Sequence, residues 1–249
     1  MDLQRSPNIL GTHWFHRRFT LTPQGRYVAV TELAEWARGP YDQLRKNLAL
    51  ETTPDRAAPR VIMLAPVRHG DGTTTTAVLL AASLAQNHRV LVLELNFRWP
   101  GVAEAFGLAG AAGLSTLLHD PTLADPERVV SPTRIANLFV LPNNVNGSQR
   151  ALPPVDSIQA LLATLRDRYD YIVIDSAPVL RYPDTTLLAP LADVVLLVIA
   201  ADATPVEECT AARRELERAT VRIGGAVVTR QRRFVPEPLE RRLAGSGER

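Results

Sequence analysis

The chain has 249 residues, 46% of them hydrophobic, which suits one large domain or one domain with an arm and gives ample material for a core. Its formal net charge of +2 gives no basis for general nucleic-acid binding. One cysteine, Cys209, excludes an intramolecular disulfide, and the longest apolar stretch, Leu187 to Ala201, is too short and too interrupted to span a bilayer. We therefore expect a cytoplasmic protein, with a peripheral position at the inner face of the cell membrane left open.

The chain is predicted to divide into three segments. Residues 1–58 form an N-terminal arm, a helical segment and a linker, residues 59–230 form an α/β domain, and residues 231–249 form an Arg-rich tail. Residues 1–30 show no regular pattern and contain an aromatic and basic run at 14–19. This run either docks on a membrane or partner, or packs its aromatic rings against the domain.

A helical region is predicted from Val30 to Leu50, with a break at Gly39-Pro40. Beyond the break, Tyr41, Leu44 and Leu48 share one face. That face and the loops at the strand ends are candidate contact surfaces for a partner.

From residue 60 onward, short apolar runs alternate with helical stretches. The predicted strands are Val61–Ala65, Val90–Leu93, Leu138–Leu141, Tyr171–Ile174, Val194–Ala200 and Ala226–Thr229. The predicted helices are Thr74–Gln86, Leu114–Leu118, Val155–Arg168 and Pro205–Ala219. Most of the strands are continuously apolar, as expected for strands covered on both faces. The alternation predicts a doubly wound, mostly parallel α/β sheet.

A glycine-rich turn joins the first strand of this domain to the following helix. Gly70 and Gly72 allow successive N–H groups to face an anion, and the helix adds the positive end of its dipole. This is the context of a nucleotide phosphate loop, whose last glycine is followed by Lys and then Ser or Thr. Here Thr73 stands at the lysine position, and the single lysine of the chain, Lys46, lies well upstream. The arrangement of strand, glycine-rich turn and helix predicts a nucleotide-binding protein, whereas the missing lysine argues against catalysis of phosphoryl transfer.

Polar residues also follow other strands, whose carboxyl ends should meet at the same edge of the sheet. Glu94 and Arg98 follow one strand, and Asp175 follows another, with Asp184 a few residues beyond. In phosphate-loop enzymes an Asp in this position commonly holds Mg²⁺ through water. The hydroxyl of Thr74 is placed to reach the same ion.

The order and spacing of these segments resemble the cytoplasmic kinase domain of the bacterial tyrosine kinases (BY-kinases), P-loop proteins related to the MinD/ParA ATPases. The similarity runs from about Tyr41 to Thr229. Its strongest parts are Gly70-Asp71-Gly72-Thr73-Thr74-Thr75, the stretch from Val90 to Pro100, and the stretch from Tyr169 to Pro178. The resemblance implies ATP or ADP with Mg²⁺ as cofactor. It also implies nucleotide contacts by Gly70, Asp71, Gly72, Thr73, Thr74, Thr75 and Arg98, a metal site at Thr74, Glu94 and Asp175, and catalytic roles for Glu94 and Asp175.

The departures from the family pattern fall on the chemistry. Thr73 replaces the lysine, Glu94 and Asn96 replace two aspartates, and Thr229 replaces an asparagine associated with the adenine base. No tyrosine lies beyond Tyr182, whereas the family usually carries a C-terminal tyrosine cluster. Two arginines, at 68 and 98, could supply charge in place of the lysine, although not with the same reach or geometry. Phosphoryl transfer is therefore predicted to be weak or absent.

Three functions follow, in this order of preference. The first is a catalytically impaired BY-kinase-like protein that regulates exopolysaccharide or capsule synthesis or export by binding a membrane co-polymerase or chain-length regulator. The second is an active tyrosine autokinase or ATPase of the same pathway with a rearranged phosphate site. The third is a MinD/ParA-type positioning ATPase. A homo-oligomer is left open, and no nucleic-acid partner is expected.

Overall fold

The computed structural model describes residues 9–10, 35–50, 58–108, 110–119, 125–144 and 151–230. The strands are β1 (Ile9–Leu10), β2 (Val61–Pro66), β3 (Val90–Glu94), β4 (Ser131–Pro132), β5 (Leu138–Leu141), β6 (Tyr171–Asp175), β7 (Val194–Ala200) and β8 (Ile223–Thr229). The helices are α1 (Glu35–Leu50), α2 (Thr73–Leu84), α3 (Val102–Ala105), α4 (Leu114–His119), α5 (Val155–Arg166), α6 (Asp184–Leu188) and α7 (Val206–Arg218), with 3-10 turns at Pro126–Arg128 and Ala189–Leu191.

The strands form one sheet in the order β1-β8-β7-β2-β6-β3-β5-β4. All neighbouring strands pair in parallel except β4 and β5, which are antiparallel. Strands β2 and β3 are buried along their whole length, which explains why their sequences are almost continuously apolar. The predicted fold class is confirmed, and the six predicted strands match the observed ones to within a few residues.

Helices cover both faces of the sheet and create two separate cores. On one face, α1 and α2 pack on strand residues such as Ile62 and Leu64. On the other, α5 and α7 pack on strand residues such as Met63. Because successive strand residues point to opposite faces, each central strand supplies both cores. The faces of the sheet are thereby covered, and a cavity remains at its carboxyl edge.

The predicted break in the first helix is wrong: α1 continues through Gly39-Pro40. Proline removes one helical hydrogen bond, but Gly39 has no Cβ to collide with the proline ring, so the helical conformation remains available. Tyr41, Leu44 and Leu48 are buried against α2. The face that they share is therefore not available to a partner, which corrects the expectation that it is a contact surface.

The N-terminal arm departs from its predicted irregularity at one point. Ile9 and Leu10 form β1, which pairs in parallel with Ala226 and Val227 of β8 at the edge of the sheet. The aromatic and basic run at 14–19 and the tail at 231–249 lie outside the described residues. Within the residues that the structure describes, no helix combines the length and the apolar character needed to cross a membrane.

Candidate functional site

A cavity of ≈ 430 Å³ opens at the carboxyl edge of the sheet, where the loop after β2 faces the segments that follow β3 and β6. It is lined by Gly70, Gly72, Thr73, Thr74 and Thr75 of the predicted phosphate loop, and by Asn96, Trp99, Ser176 and Arg230 among others. Five of the seven predicted nucleotide contacts therefore share one cavity. Asp71 and Arg98 are not among its lining residues.

The loop conformation depends on its two glycines. Gly70 and Gly72 have φ angles of 88° and 91°, which side chains rarely adopt, and Gly72 is the N-cap of α2. The backbone N–H and the hydroxyl of Thr76 both bond to the Gly72 carbonyl oxygen at 2.9 Å. The first turn of α2 therefore directs its remaining N–H groups toward the cavity, as an anion site requires.

Asp71 holds the loop in shape from behind. Its carboxylate accepts hydrogen bonds from the Arg68 backbone N–H at 2.7 Å and from the Thr204 hydroxyl at 2.8 Å. Its carbonyl oxygen accepts a hydrogen bond from the Thr229 hydroxyl at 2.6 Å. The buried Asp71 side chain thus ties the loop to the chain after β7, and its carbonyl ties the loop to the end of β8.

Thr74 and Asp175, two of the three predicted metal ligands, are in direct contact. The Thr74 hydroxyl donates to one Asp175 oxygen at 2.6 Å. The other Asp175 oxygen, Oδ1, is buried and has no hydrogen-bond partner among the described residues. Burial raises the pKa of Asp175 to about 7, against the lowering effect of the Thr74 hydrogen bond. A buried carboxylate with an unused oxygen beside a hydroxyl fits a hydrated Mg²⁺ ion, which takes oxygen ligands and keeps several waters.

Glu94 lies beside Asp175 in the sheet, because the two residues are in register on β3 and β6. Its carboxylate accepts three backbone N–H bonds, from Gly101 at 2.5 Å, Val102 at 2.8 Å and Asn143 at 2.8 Å. Burial raises the pKa of Glu94 to about 8, with the Asp175 charge as a second cause and the backbone hydrogen bonds opposing both. The metal and catalytic roles of Glu94 remain predictions, and these bonds favour a role in joining two loops.

Both arginines considered as substitutes for the lysine are engaged elsewhere. Arg98 makes two hydrogen bonds of 2.9 Å to the buried carboxylate of Asp184. Arg68 forms a two-point ion pair with Glu208 at the start of α7. Each guanidinium would have to leave a carboxylate to reach a phosphate in the cavity.

Comparisons with known proteins place this site in a family. A family model described as an AAA domain matches residues 59–212, which is more than half of the chain. The chain belongs to this family. The AAA domain here is BY-kinase-like: tyrosine-protein kinase YwqD of Bacillus subtilis (strain 168) is 27% identical over 207 residues, covering 82% of this chain and 86% of that protein. Tyrosine-protein kinase CpsD of Streptococcus pneumoniae is 28% identical over 162 residues, covering 64% and 70%.

Solved structures agree with this assignment of the AAA domain. The VpsO kinase domain matches with a TM-score of 0.67 at 30% identity, covering 77% of this chain and 93% of that one. The chimerical protein CapA2B2 matches with a TM-score of 0.74 at 22% identity, covering 91% and 96%. MinD from Pyrococcus horikoshii OT3, complexed with Mg-ADP, shares the fold with a TM-score of 0.59 at 18% identity, covering 74% and 76%. The resemblance inferred from the motifs is confirmed.

Several residues of the AAA-domain cavity are missed by motif reasoning. Trp99 lines the cavity and makes tilted ring contacts with His69 at 4.7 Å and Tyr182 at 5.5 Å, measured between ring centroids. Arg230 lines the cavity from the end of β8 and donates a hydrogen bond to the Gly70 carbonyl oxygen. The rule that sites gather at strand carboxyl ends points to Arg230, since it directly follows a strand.

Proposed function

We propose that this BY-kinase-like protein is impaired in phosphoryl transfer and regulates exopolysaccharide or capsule synthesis or export by binding a membrane co-polymerase. The proposal combines a cavity lined by the phosphate loop with the absence of a lysine from that loop. ATP or ADP with Mg²⁺ is the proposed cofactor, bound without efficient turnover. A peripheral position at the inner face of the cell membrane follows from the proposed partner.

The observation that carries the proposal is the side chain at the lysine position. Thr73 is 8% exposed, lines the cavity and brings no charge. Arg68 and Arg98 are held by Glu208 and Asp184, as described above. In phosphoryl transfer the loop lysine stabilises charge on the β- and γ-phosphates as it moves. Removal of one such preorganised donor typically lowers the rate by about 100-fold to 1000-fold.

The partner class rests on the resemblance to the BY-kinases, which implies a role in capsule or exopolysaccharide synthesis, and the relatives are tyrosine-protein kinases. The apolar side of α1 is buried, so the loops at the strand ends are the remaining candidate surface. Two large apolar side chains are exposed there, Leu180 at 39% and Leu187 at 50%, on the segment between β6 and β7. Leu180 precedes and Leu187 follows Asp184 in the chain, and both are proposed to contact the partner.

Turnover by the purified protein tests the catalytic part. Wild type is expected to bind Mg-ATP. Its rates of ATP hydrolysis and of autophosphorylation should both lie close to the background. Thr73→Lys should raise ATP turnover by at least about tenfold, since it restores charge at the cavity wall. The gain should disappear in Thr73→Lys combined with Asp175→Ala. Wild-type turnover equal to that of Thr73→Lys would contradict impairment.

Complementation of a deletion strain tests the regulatory part. A Thr74→Ala plus Asp175→Ala variant is expected to restore polymer production as well as wild type, because neither change alters the proposed partner surface. Leu187→Asp, expressed to the same level, should restore less polymer because it places a charge on that surface. Failure of the double variant to restore polymer would sink the proposal that binding is sufficient.

An active ATP-dependent tyrosine autokinase or ATPase is the second candidate. It is favoured by one observation, the Thr74–Asp175 pair with its unused carboxylate oxygen. The turnover measurement separates the two candidates directly. A MinD/ParA-type positioning ATPase is a lesser candidate, supported by likeness of fold alone.

A further inference from the structure

We propose that Arg230 supplies the phosphate-binding cation of the cavity, from the end of β8 in place of the missing loop lysine. The inferred ligands are nucleoside di- and triphosphates. This inference rests on the part of the proposed function in which the cavity holds a nucleotide. It assigns binding to Arg230 and makes no claim of phosphoryl transfer.

The position of Arg230 is fixed by its neighbours. It directly follows β8 in a left-handed conformation, with a φ of 53°, and its guanidinium donates to the Gly70 carbonyl oxygen. The preceding residue, Thr229, bonds to the Asp71 carbonyl oxygen at 2.6 Å, and its side chain lies beside Gly72. The end of β8 therefore contacts three consecutive residues of the loop, which places the Arg230 guanidinium at the cavity.

The charges around the cavity single out Arg230. Of the two arginines that line it, Arg68 is paired with Glu208. Arg230 forms no ion pair with a carboxylate within the described ranges, and its guanidinium bonds to a neutral carbonyl oxygen instead. A hydrogen bond between two charged groups is roughly twice as strong as one to a neutral acceptor. A phosphate in the cavity would therefore displace the Gly70 carbonyl oxygen from the guanidinium.

The rest of the cavity specifies a polyphosphate. The first turn of α2 offers backbone N–H groups to an anion at Thr73 and Thr74. Behind Thr74, the unused Oδ1 of Asp175 provides an oxygen for a hydrated cation. A ligand that satisfies both features carries several negative charges and a bound Mg²⁺ ion. The planar fork of an arginine can hold two phosphate oxygens at once, which adds affinity for a diphosphate group.

Calorimetry with Mg²⁺ and ATP, ADP or adenosine tests the inference on the full chain. Wild type is expected to bind ADP and ATP. Arg230→Met should weaken both by about 10-fold to 100-fold, the range expected for hydrogen bonds to a charged group. Adenosine affinity should stay the same, and Arg230→Lys should recover part of the loss. Arg213→Met serves as the matched control, because Arg213 pairs with Glu217 on the exposed side of α7.

Three outcomes would overturn the inference. If wild type binds ADP and Arg230→Met binds it with the same affinity, Arg230 is not the phosphate-binding cation. The proposed function would be unaffected by that result. Equal losses for ADP and adenosine would show that Arg230 shapes the loop rather than binding phosphate. If wild type does not bind ADP at millimolar concentration, the proposal that the cavity holds a nucleotide is wrong. The complementation experiment would still decide whether the protein acts by binding a partner. Urea unfolding of each variant separates loss of binding from loss of folding.

Discussion

Raising the pH from about 5.5 to about 8.5 should destabilise the ligand-free protein by several kcal/mol. The cause is the pair of neighbouring carboxylates at the carboxyl ends of β3 and β6, Glu94 and Asp175, which are both 0% exposed. Burial raises their pKa values to about 8 and about 7. Both groups therefore prefer to be protonated in the folded protein and charged in the unfolded chain.

The direction follows from the raised pKa values. Because the folded state binds these protons more tightly, their stabilising effect is complete below the ordinary carboxyl pKa range. It is lost as the pH rises, until both groups are charged above about 8. For Asp175 alone the loss over the whole interval from its ordinary pKa up to about 7 is on the order of 4 kcal/mol, of which roughly half falls above pH 5.5, and Glu94 adds to it. The carboxyls whose pKa values are lowered, Asp125, Asp193 and Glu208, change stability in acid and do not oppose this trend.

Urea unfolding between these two pH values measures the effect. Asp175→Asn keeps the shape of the side chain and can still accept the Thr74 hydrogen bond, but it has no charge to bury. This variant should be more stable than wild type at the higher pH and show a shallower decline. Mg-ADP should raise the stability of wild type at that pH, and it should have a weaker effect on Asp175→Asn. A stability that is flat or rises with pH would contradict the burial of both carboxylates as acids.

Much of the fold can be predicted from the sequence because its strands are buried on both faces. Continuous apolar runs such as Val194–Ala200 indicate strands of a covered parallel sheet once they alternate with helical stretches. The phosphate loop can also be predicted, since Gly70 and Gly72 have φ angles that few other residues adopt. These features depend on local chemistry, which the order of residues specifies directly.

Other features depend on contacts between residues that are far apart in the chain, and local sequence patterns do not predict them. Asn143 lies 49 residues from Glu94, and no motif announces that its N–H bonds to that carboxylate. The pairing of Ile9 with Ala226 is likewise set by the exposed edge of β8 rather than by any pattern in the arm. The role of Glu94 illustrates the difference: its family position predicts a metal ligand, whereas its surroundings show a carboxylate occupied by three backbone donors.

Gly113→Ala should destabilise the protein by about 2–4 kcal/mol, the combined effect of overpacking and of disturbed buried hydrogen bonds. A Cβ atom on Gly113 would lie 2.2 Å from the Pro142 carbonyl oxygen and 3.2 Å from the Asn144 backbone nitrogen. Both contacts are with backbone, which cannot swing aside as a side chain can. The same Pro142 oxygen accepts a 2.8 Å hydrogen bond from the Leu114 N–H, so the two segments would have to separate where they are joined.

The consequence would extend to the cavity, because Asn143 lies within the displaced segment and donates to Glu94 at 2.8 Å. Loss of this donor leaves the buried Glu94 carboxylate with the two N–H groups of Gly101 and Val102. Gly101→Ala is the matched control, since it adds the same methyl group to a glycine whose own N–H bonds to Glu94, but at an ordinary 3.6 Å contact with Thr74. It should change stability by less than about 1 kcal/mol. Equal urea midpoints for the two variants would show that the close approach at Pro142 does not constrain the loop. A selective loss in Gly113→Ala would show that the close approach at Pro142 constrains the segment that carries the Asn143 donor.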